Sequence, residues 1–354
     1  MLEQEIIAKN LDTLFKNAPS IKIGKEDKYV IFSDLHMGDG SRKDDFLHNA
    51  DLFSFVLENE YLNKDFKLIL NGDVEELQRF SYSAISERWK SVYHLFDQFK
   101  AKYSLYKTVG NHDYTLILKT DKSSPYKHLN ALVLEQNNNR LLVFHGHQAS
   151  LFYTKHNALI GFFLKYLANP LGIKNYSVAY NSRKQFKIEK RVYKYSTSRK
   201  IASIIGHTHR PLFESLSKRD YLIYQIEKLL RSFSSLSSKD RLKTEKDLLD
   251  YKRQLITLNR NKKDSLLNHS LYNEDILVPS LFNSGCVIGR TGITSIEITS
   301  EEIALVHYFD KNVKQTEYAD EIKVSRQVGN SNYHRVVINR ESLDYIFARI
   351  KFLA

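Results

Sequence analysis

The chain has 354 residues, 42% of them hydrophobic and 12% aromatic, enough apolar material for one large domain with insertions or for two domains. Its single cysteine, Cys286, excludes an intramolecular disulfide partner and any cysteine-based zinc site, which suits a reducing compartment. The net charge of +12 asks for an acidic partner and is regional: residues 183–200 hold eight basic side chains and one acidic, residues 218–264 thirteen and seven.

The N-terminal "MLEQEIIAKNLDTLFKNAPS" is acidic where a secretory signal would be basic, and it lacks an apolar core. Leu2, Ile6, Leu11, Leu14 and Phe15 fall at near-helical spacing, which predicts an amphipathic helix. Five segments then repeat one pattern, an apolar run of strand length that ends on a polar cluster. They are "KYVIFSDLH" (28–36), "DFKLILNGD" (65–73), "SLYKTVGNHD" (104–113), "RLLVFHGH" (140–147) and "KIASIIGHTH" (200–209). Helix-like stretches such as "DDFLHNADLFSFVLENEYL" and "RWKSVYHLFDQFKAKY" lie between them. The alternation predicts an α/β class, and in open α/β sheets ligands sit beyond the carboxyl ends of the strands, where all five clusters fall.

The most apolar window, residues 158–173, is interrupted by Lys165 and Pro170 and is too short to span a bilayer, so a cytoplasmic protein is expected. The second half of this region, "SRKQFKIEKRVYKYSTSRK", is strongly basic. It reads as a helix with a solvated face, as a lid meeting the inner face of a membrane, or as a nucleic-acid groove using Phe186, Tyr193 and Tyr195. Leu222, Ile226, Leu229, Leu230 and Phe233, followed by Leu248, Tyr251, Leu255 and Leu258, predict a basic helical hairpin. Residues 281–299 and 301–309 read as further strands, and "ESLDYIFARIKFLA" as a last helix.

The strand-end clusters gather Asp34, His36, Asp73, Asn111, His112, Asp113, His145, His147, His207 and His209. Imidazole and carboxylate donors without thiolate suit Mn, Fe or Zn, and the number of donors suits two ions sharing a carboxylate. Asp34-Leu35-His36, Gly72-Asp73, Gly110-Asn111-His112-Asp113, His145 and Gly206-His207-Thr208-His209 appear in one order, each after a predicted strand. In this the chain resembles the calcineurin-like metallophosphoesterases, whose pattern runs D-x-H, GD, GNH with D or E, a lone His, and GHxH.

The resemblance implies a β-sandwich flanked by helices. The core would comprise residues 1–147, 200–216 and 279–354, with a helical cap insertion at 148–199 and a helical hairpin insertion at 217–278. It implies two divalent ions, Mn²⁺ first among them with Fe or Zn as alternatives. One would be held by Asp34, His36 and His209, the other by Asn111, His145 and His207, with Asp73 bridging. A metal-bound hydroxide would attack phosphorus, and His112 would stabilise developing charge or protonate the leaving oxygen. Glu76 stands where related phosphatases support that histidine, or is an ordinary exposed glutamate. His147 is an alternative to His145 or faces substrate, and Asp113 is expected to orient a neighbour or its loop.

"GDVEELQRF" lacks the Asp-Arg-Gly of the Ser/Thr protein phosphatases. With the apolar and basic insertion, it looks more like the UDP-diacylglucosamine pyrophosphohydrolase-like branch, although His112 stands where those enzymes typically have arginine. The expected function is hydrolysis of a phosphoester or pyrophosphate. The alternatives are a pyrophosphohydrolase at the membrane surface, a nucleic-acid phosphodiesterase, and a scaffold without turnover.

Overall fold

The computed structural model describes residues 2–117, 124–150, 182–213, 238–260, 278–312 and 325–354, with isolated positions between 222 and 233. The apolar part of the cap (151–181) and most of the first hairpin helix lie outside the described residues. Thirteen strands among the described residues form two mixed sheets.

The larger sheet is organised around three parallel strands, β2 (Tyr29–Phe32), β3 (Lys67–Asn71) and β4 (Leu105–Thr108). Covered on both faces, a parallel strand needs apolar residues in succession, and all four residues of β2 are buried. The short β5 (His128–Leu129) closes this side. On the other side β10 (Ile293–Ile298), β11 (Glu302–Asp310), β13 (Tyr333–Ser342) and β12 (Arg326–Gln327) follow antiparallel. The smaller sheet runs β1 (Ser20–Lys22), β6 (Ala131–Gln136), β7 (Asn139–Phe144), β8 (Ala202–Ile205), β9 (Leu281–Asn283). Asn137 and Asn138, both left-handed with φ of 49° and 68°, make the two-residue turn between β6 and β7.

Strand alternation divides the interior into two cores. Tyr29, Ile31 and Ile69 point into a cluster shared with Leu132, Leu134, Val143 and Ile204 of the smaller sheet. Their neighbours Val30, Phe32, Leu68 and Leu70 point the other way, toward α2 (Ala50–Val56) and α4 (Lys90–Lys102). There Phe32 meets Phe53 edge-on at 5.2 Å between ring centroids. Each such ring is worth about 1.5–3 kcal/mol of transfer free energy. A short α3 (Tyr82–Arg88), capped by Ser81, precedes α4.

The predicted N-terminal helix is α1 (Leu2–Asn17), which buries Ile7 and Leu11 in the first core. The basic run forms α5 (Ser182–Arg199), whose Ile188, Val192, Tyr193 and Tyr195 are buried in that core. Tyr193 and Tyr195 are therefore packing residues and cannot serve as stacking platforms for bases. In the second basic segment α6 (Ser238–Arg260) carries Leu248, Tyr251 and Leu255 half-buried. The last helix, α7 (Leu343–Leu353), buries Leu343, Ile346, Phe347 and Ile350 at helical spacing. Among the described residues no helix is long and apolar enough to cross a membrane.

Candidate metal centre

The five polar clusters meet because β2, β3 and β4 are parallel in one sheet and β7 and β8 are parallel in the other. Beyond β2 and β3 the chain keeps its ladder without keeping strand geometry. Asp34 N donates to Gly72 O (3.1 Å), His36 N to Asp73 O (3.0 Å), Met37 N to Val74 O (2.9 Å) and Glu76 N to Met37 O (3.0 Å).

The backbone is strained there. Among the described residues nine non-glycine positions have positive φ, and five of them are Asp34 (54°), His36 (47°), Asp73 (51°), His207 (65°) and His209 (55°). Left-handed backbone costs a non-glycine residue on the order of 1–2 kcal/mol, and such strain clusters at functional sites. Close approach adds a second constraint. A β-carbon on Gly110 would collide with Asp73 Oδ1, and one on Gly206 with Ser33 Oγ and Asp34 Oδ2.

Three imidazoles are anchored through Nδ1. His36 Nδ1 lies 3.0 Å from Glu76 Oε2, His112 Nδ1 2.8 Å from Glu76 Oε1, and His145 Nδ1 2.9 Å from the Asn71 carbonyl. Their Nε2 atoms point inward. His145 Nε2 stands 3.1 Å from Asp73 Oδ2, with His36 Nε2 and His112 Nε2 at 3.8 and 4.0 Å from the same oxygen. His209 Nε2 is 3.1 Å from Asp34 Oδ1 and 3.2 Å from His36 Nε2. Donor atoms within 4.8 Å of one another thus form three groups: Asp34 with His36 and His209, Asp73 with His145 and His207, and His36 with Glu76 and His112. Such carboxylate–imidazole arrangements, with the outer ring nitrogen held, are those that orient metal ligands.

Charge balance fits a cation. Burial resists ionisation of Asp34, yet His209 and His145 outweigh it and hold its carboxyl down at about 2. Burial likewise opposes Asp73, and His145 and His112 carry it well below the carboxylate range. In return, against burial, Asp73 and Asp34 push His145 up to about 9, and Asp34 raises His209 well above the usual imidazole value. His207, desolvated and beside His145, is pushed down to about 3. Carboxylates that draw protons onto neighbouring rings are positioned to accept divalent ions in their place.

The remaining expected residues fall around these groups. Asn111 Oδ1 is buried and has no hydrogen-bond partner among the described residues, which fits an oxygen donor kept for a ligand. His147 is buried, its ring 5.5 Å from that of His145 and 6.2 Å from that of His207, but it belongs to none of the three donor groups. Burial and the two neighbouring rings keep its pKa well below normal. Asp113 faces backbone, accepting from Val74 N (2.7 Å) and Gly110 N (2.6 Å), so it ties the loop bearing Asp73 to the loop bearing Asn111. Glu76 is only 2% exposed, and besides both rings it takes Arg79 at 3.3 Å. His112 is fixed at its main chain as well, its N–H donating to Asp73 Oδ1 at 2.8 Å.

Sequence reasoning missed Glu75 and Lys107. Glu75 lies behind the centre, fully buried, and accepts from Lys107 Nζ (2.5 Å) and the Tyr93 hydroxyl (2.9 Å). A lysine within the apolar run "SLYKTV" was the available signal, since a charge there must find a partner. Glu189 was also missed. It is the one acidic residue of the basic run, and it is buried.

No protein-family model matches the chain, and no curated protein matches it. Among solved structures, a conserved uncharacterized protein of Streptococcus pneumoniae TIGR4, described as a predicted phosphoesterase, is similar over 79% of this chain and 87% of its own. The identity is 13% and the TM-score 0.29. A likeness that slight leaves the functional reading to the geometry of the site itself.

Proposed function

We propose that the chain is a metal-dependent phosphoesterase of the calcineurin-like type, hydrolysing a phosphoester or pyrophosphate bond. The observation that carries the reading is the convergence of three carboxylate–imidazole donor groups at the ends of five strands, with left-handed backbone at five of the donors. Asp34, His36 and His209 would hold one divalent ion, and Asn111, His145 and His207 the other, with Asp73 between them. Mn²⁺ is the first choice, with Fe or Zn as alternatives that the donor set also admits. Bound there, two such ions would lower the pKa of water and neutralise phosphoryl oxygens.

The chain's own contribution is orientation and proton supply. Glu76 fixes His36 and His112 through their Nδ1 atoms, leaving each Nε2 toward the centre. Burial opposes protonation of His112, but Asp73 and Glu76 raise its pKa, so its Nε2 can hold a proton for the leaving oxygen. Asp113 and the inter-loop ladder keep Asp73 in place between the two sheets. Exposed Lys184, Lys187 and Lys194 on α5 are suited to an acidic partner or an anionic surface.

The test is hydrolysis of bis-p-nitrophenyl phosphate and p-nitrophenyl phosphate by metal-stripped protein with Mn²⁺ restored. Mn²⁺-dependent turnover lost in Asp73→Asn and His112→Ala supports the reading. Preference for the diester selects diester or pyrophosphate substrates, and preference for the monoester selects phosphoproteins or small phosphates. Equal rates in the parent and both variants would refute the assignment.

A further inference from the structure

The loop Gly206–Arg210 carries two of the candidate ligands, His207 and His209, on either side of Thr208. His207 and His209 are both left-handed, and the inner residue Thr208 is fully buried. Its hydroxyl donates to Glu189 Oε1 at 2.8 Å and accepts from Asn283 Nδ2 at 2.7 Å. Its carbonyl accepts from Gln185 Nε2 at 2.8 Å. Arg210, directly after His209, donates from Nε to Glu189 Oε1 (3.2 Å) and from Nη2 to Glu189 Oε2. Thus α5, an element of the segment between the fourth and fifth motifs, grips the loop at Thr208 and Arg210, the two residues that flank His209. The ligating rings are left pointing at Asp34 and Asp73.

On its own helix Glu189 has no basic residue three or four positions away, since Gln185, Phe186, Val192 and Tyr193 stand there, and it is fully buried. Here its two oxygens hold groups on both sides of His209. A carboxylate isolated in the interior would be costly, and this one is satisfied entirely by the loop that bears the ligands. We infer that Glu189 is a positioning residue for the metal centre: it sets the left-handed turn of residues 207–209 through Thr208 and Arg210, so that α5 tunes metal affinity. This rests on the metal-dependent reading above.

The test is calorimetric titration of metal-stripped protein with Mn²⁺, beside urea unfolding in EDTA. Glu189→Gln keeps the shape and removes the charge. Thr208→Val removes the hydroxyl, and with it the bonds to Glu189 and from Asn283, while leaving Arg210 paired with Glu189, and so serves if the first variant folds poorly. Both should bind Mn²⁺ about 10–100-fold more weakly than the parent, the usual effect of removing a group that orients a ligand. Thr208→Ser, which restores the hydroxyl, should bind as the parent does, and so should Arg199→Ala on the exposed side of α5. If Glu189→Gln and Thr208→Val fold and keep Mn²⁺ affinity within about twofold, Glu189 is a structural neutraliser of Arg210 and the inference fails. If the parent itself binds no Mn²⁺, the metal-centre reading fails, and this inference with it.

Discussion

The buried pair behind the centre yields a stability prediction that needs no metal. Lys107 and Glu75 are 1% and 0% exposed, with Nζ and Oε1 2.5 Å apart. Lys107 also lies over the rings of Tyr126 and Tyr93, at 5.0 and 6.0 Å from their centroids. Lys107→Met fits the same strand position but leaves Glu75 desolvated with only the Tyr93 hydroxyl as a donor, and Glu75 Oε2 is already without a partner among the described residues. Removing one member of a buried pair costs about 3–5 kcal/mol. Glu75→Gln strands the ammonium and should cost about as much. The double variant buries no charge and keeps an acceptor for Tyr93, so it should lose no more than about 2 kcal/mol. Urea unfolding in EDTA, followed by fluorescence of the single tryptophan, Trp89, reads all three, because Trp89 is buried in the same core. A loss under about 1 kcal/mol in Lys107→Met, or a double variant equal to the sum of the singles, would refute the reasoning.

Three further outcomes are expected. Glu76→Gln should weaken Mn²⁺ binding about 10–100-fold in protein shown by circular dichroism to be folded, because it removes the carboxylate that holds His36 and His112; unchanged affinity by calorimetry would argue against that role. Gly110→Ala forces a methyl onto Asp73 and should abolish Mn²⁺ binding, a result checked on protein shown by circular dichroism to be folded. For Glu60, burial is outweighed by Arg326 and Lys64, and its pKa is lowered from 4.5. Its folded value thus lies below the unfolded one, so its stabilisation is present above pH 4.5 and is lost as pH falls through the folded value. Glu60→Gln should therefore show a shallower loss of stability between about pH 5 and pH 3 than the parent, measured by thermal unfolding.

Much of the centre was legible because its information is local. Each donor cluster follows an apolar run long enough to be a strand, and parallel strands deliver their carboxyl ends to one rim. The terminal helices were legible for a similar reason, since their apolar spacing runs uninterrupted. What escaped depends on pairing across long distances. Strand β13 reads "YHRVVINRES", with two arginines and no clean alternation, and only its pairing with β11 shows it to be a strand. Strand β6 is joined to β7 only through Asn137 and Asn138, a turn whose left-handed backbone at two asparagines is visible in the structure and not in the composition of "EQNNNR". Tyr193 and Tyr195 looked like nucleic-acid contacts, since interleaving with lysines does not reveal which side of a helix faces the core. Glu75 and Glu189 could not be separated from surface acids, because their partners, Lys107, Thr208 and Arg210, are distant in sequence.

The most direct measurement of the central claim is a crystal structure of the metal-stripped protein soaked in Mn²⁺, read by anomalous scattering. Two peaks about 3.5–4 Å apart are expected. One should lie against Asp34, His36 and His209, the other against Asn111, His145 and His207, with Asp73 reaching both. Peaks bound elsewhere, or a centre that stays free of Mn²⁺ while its side chains keep their places, would contradict it.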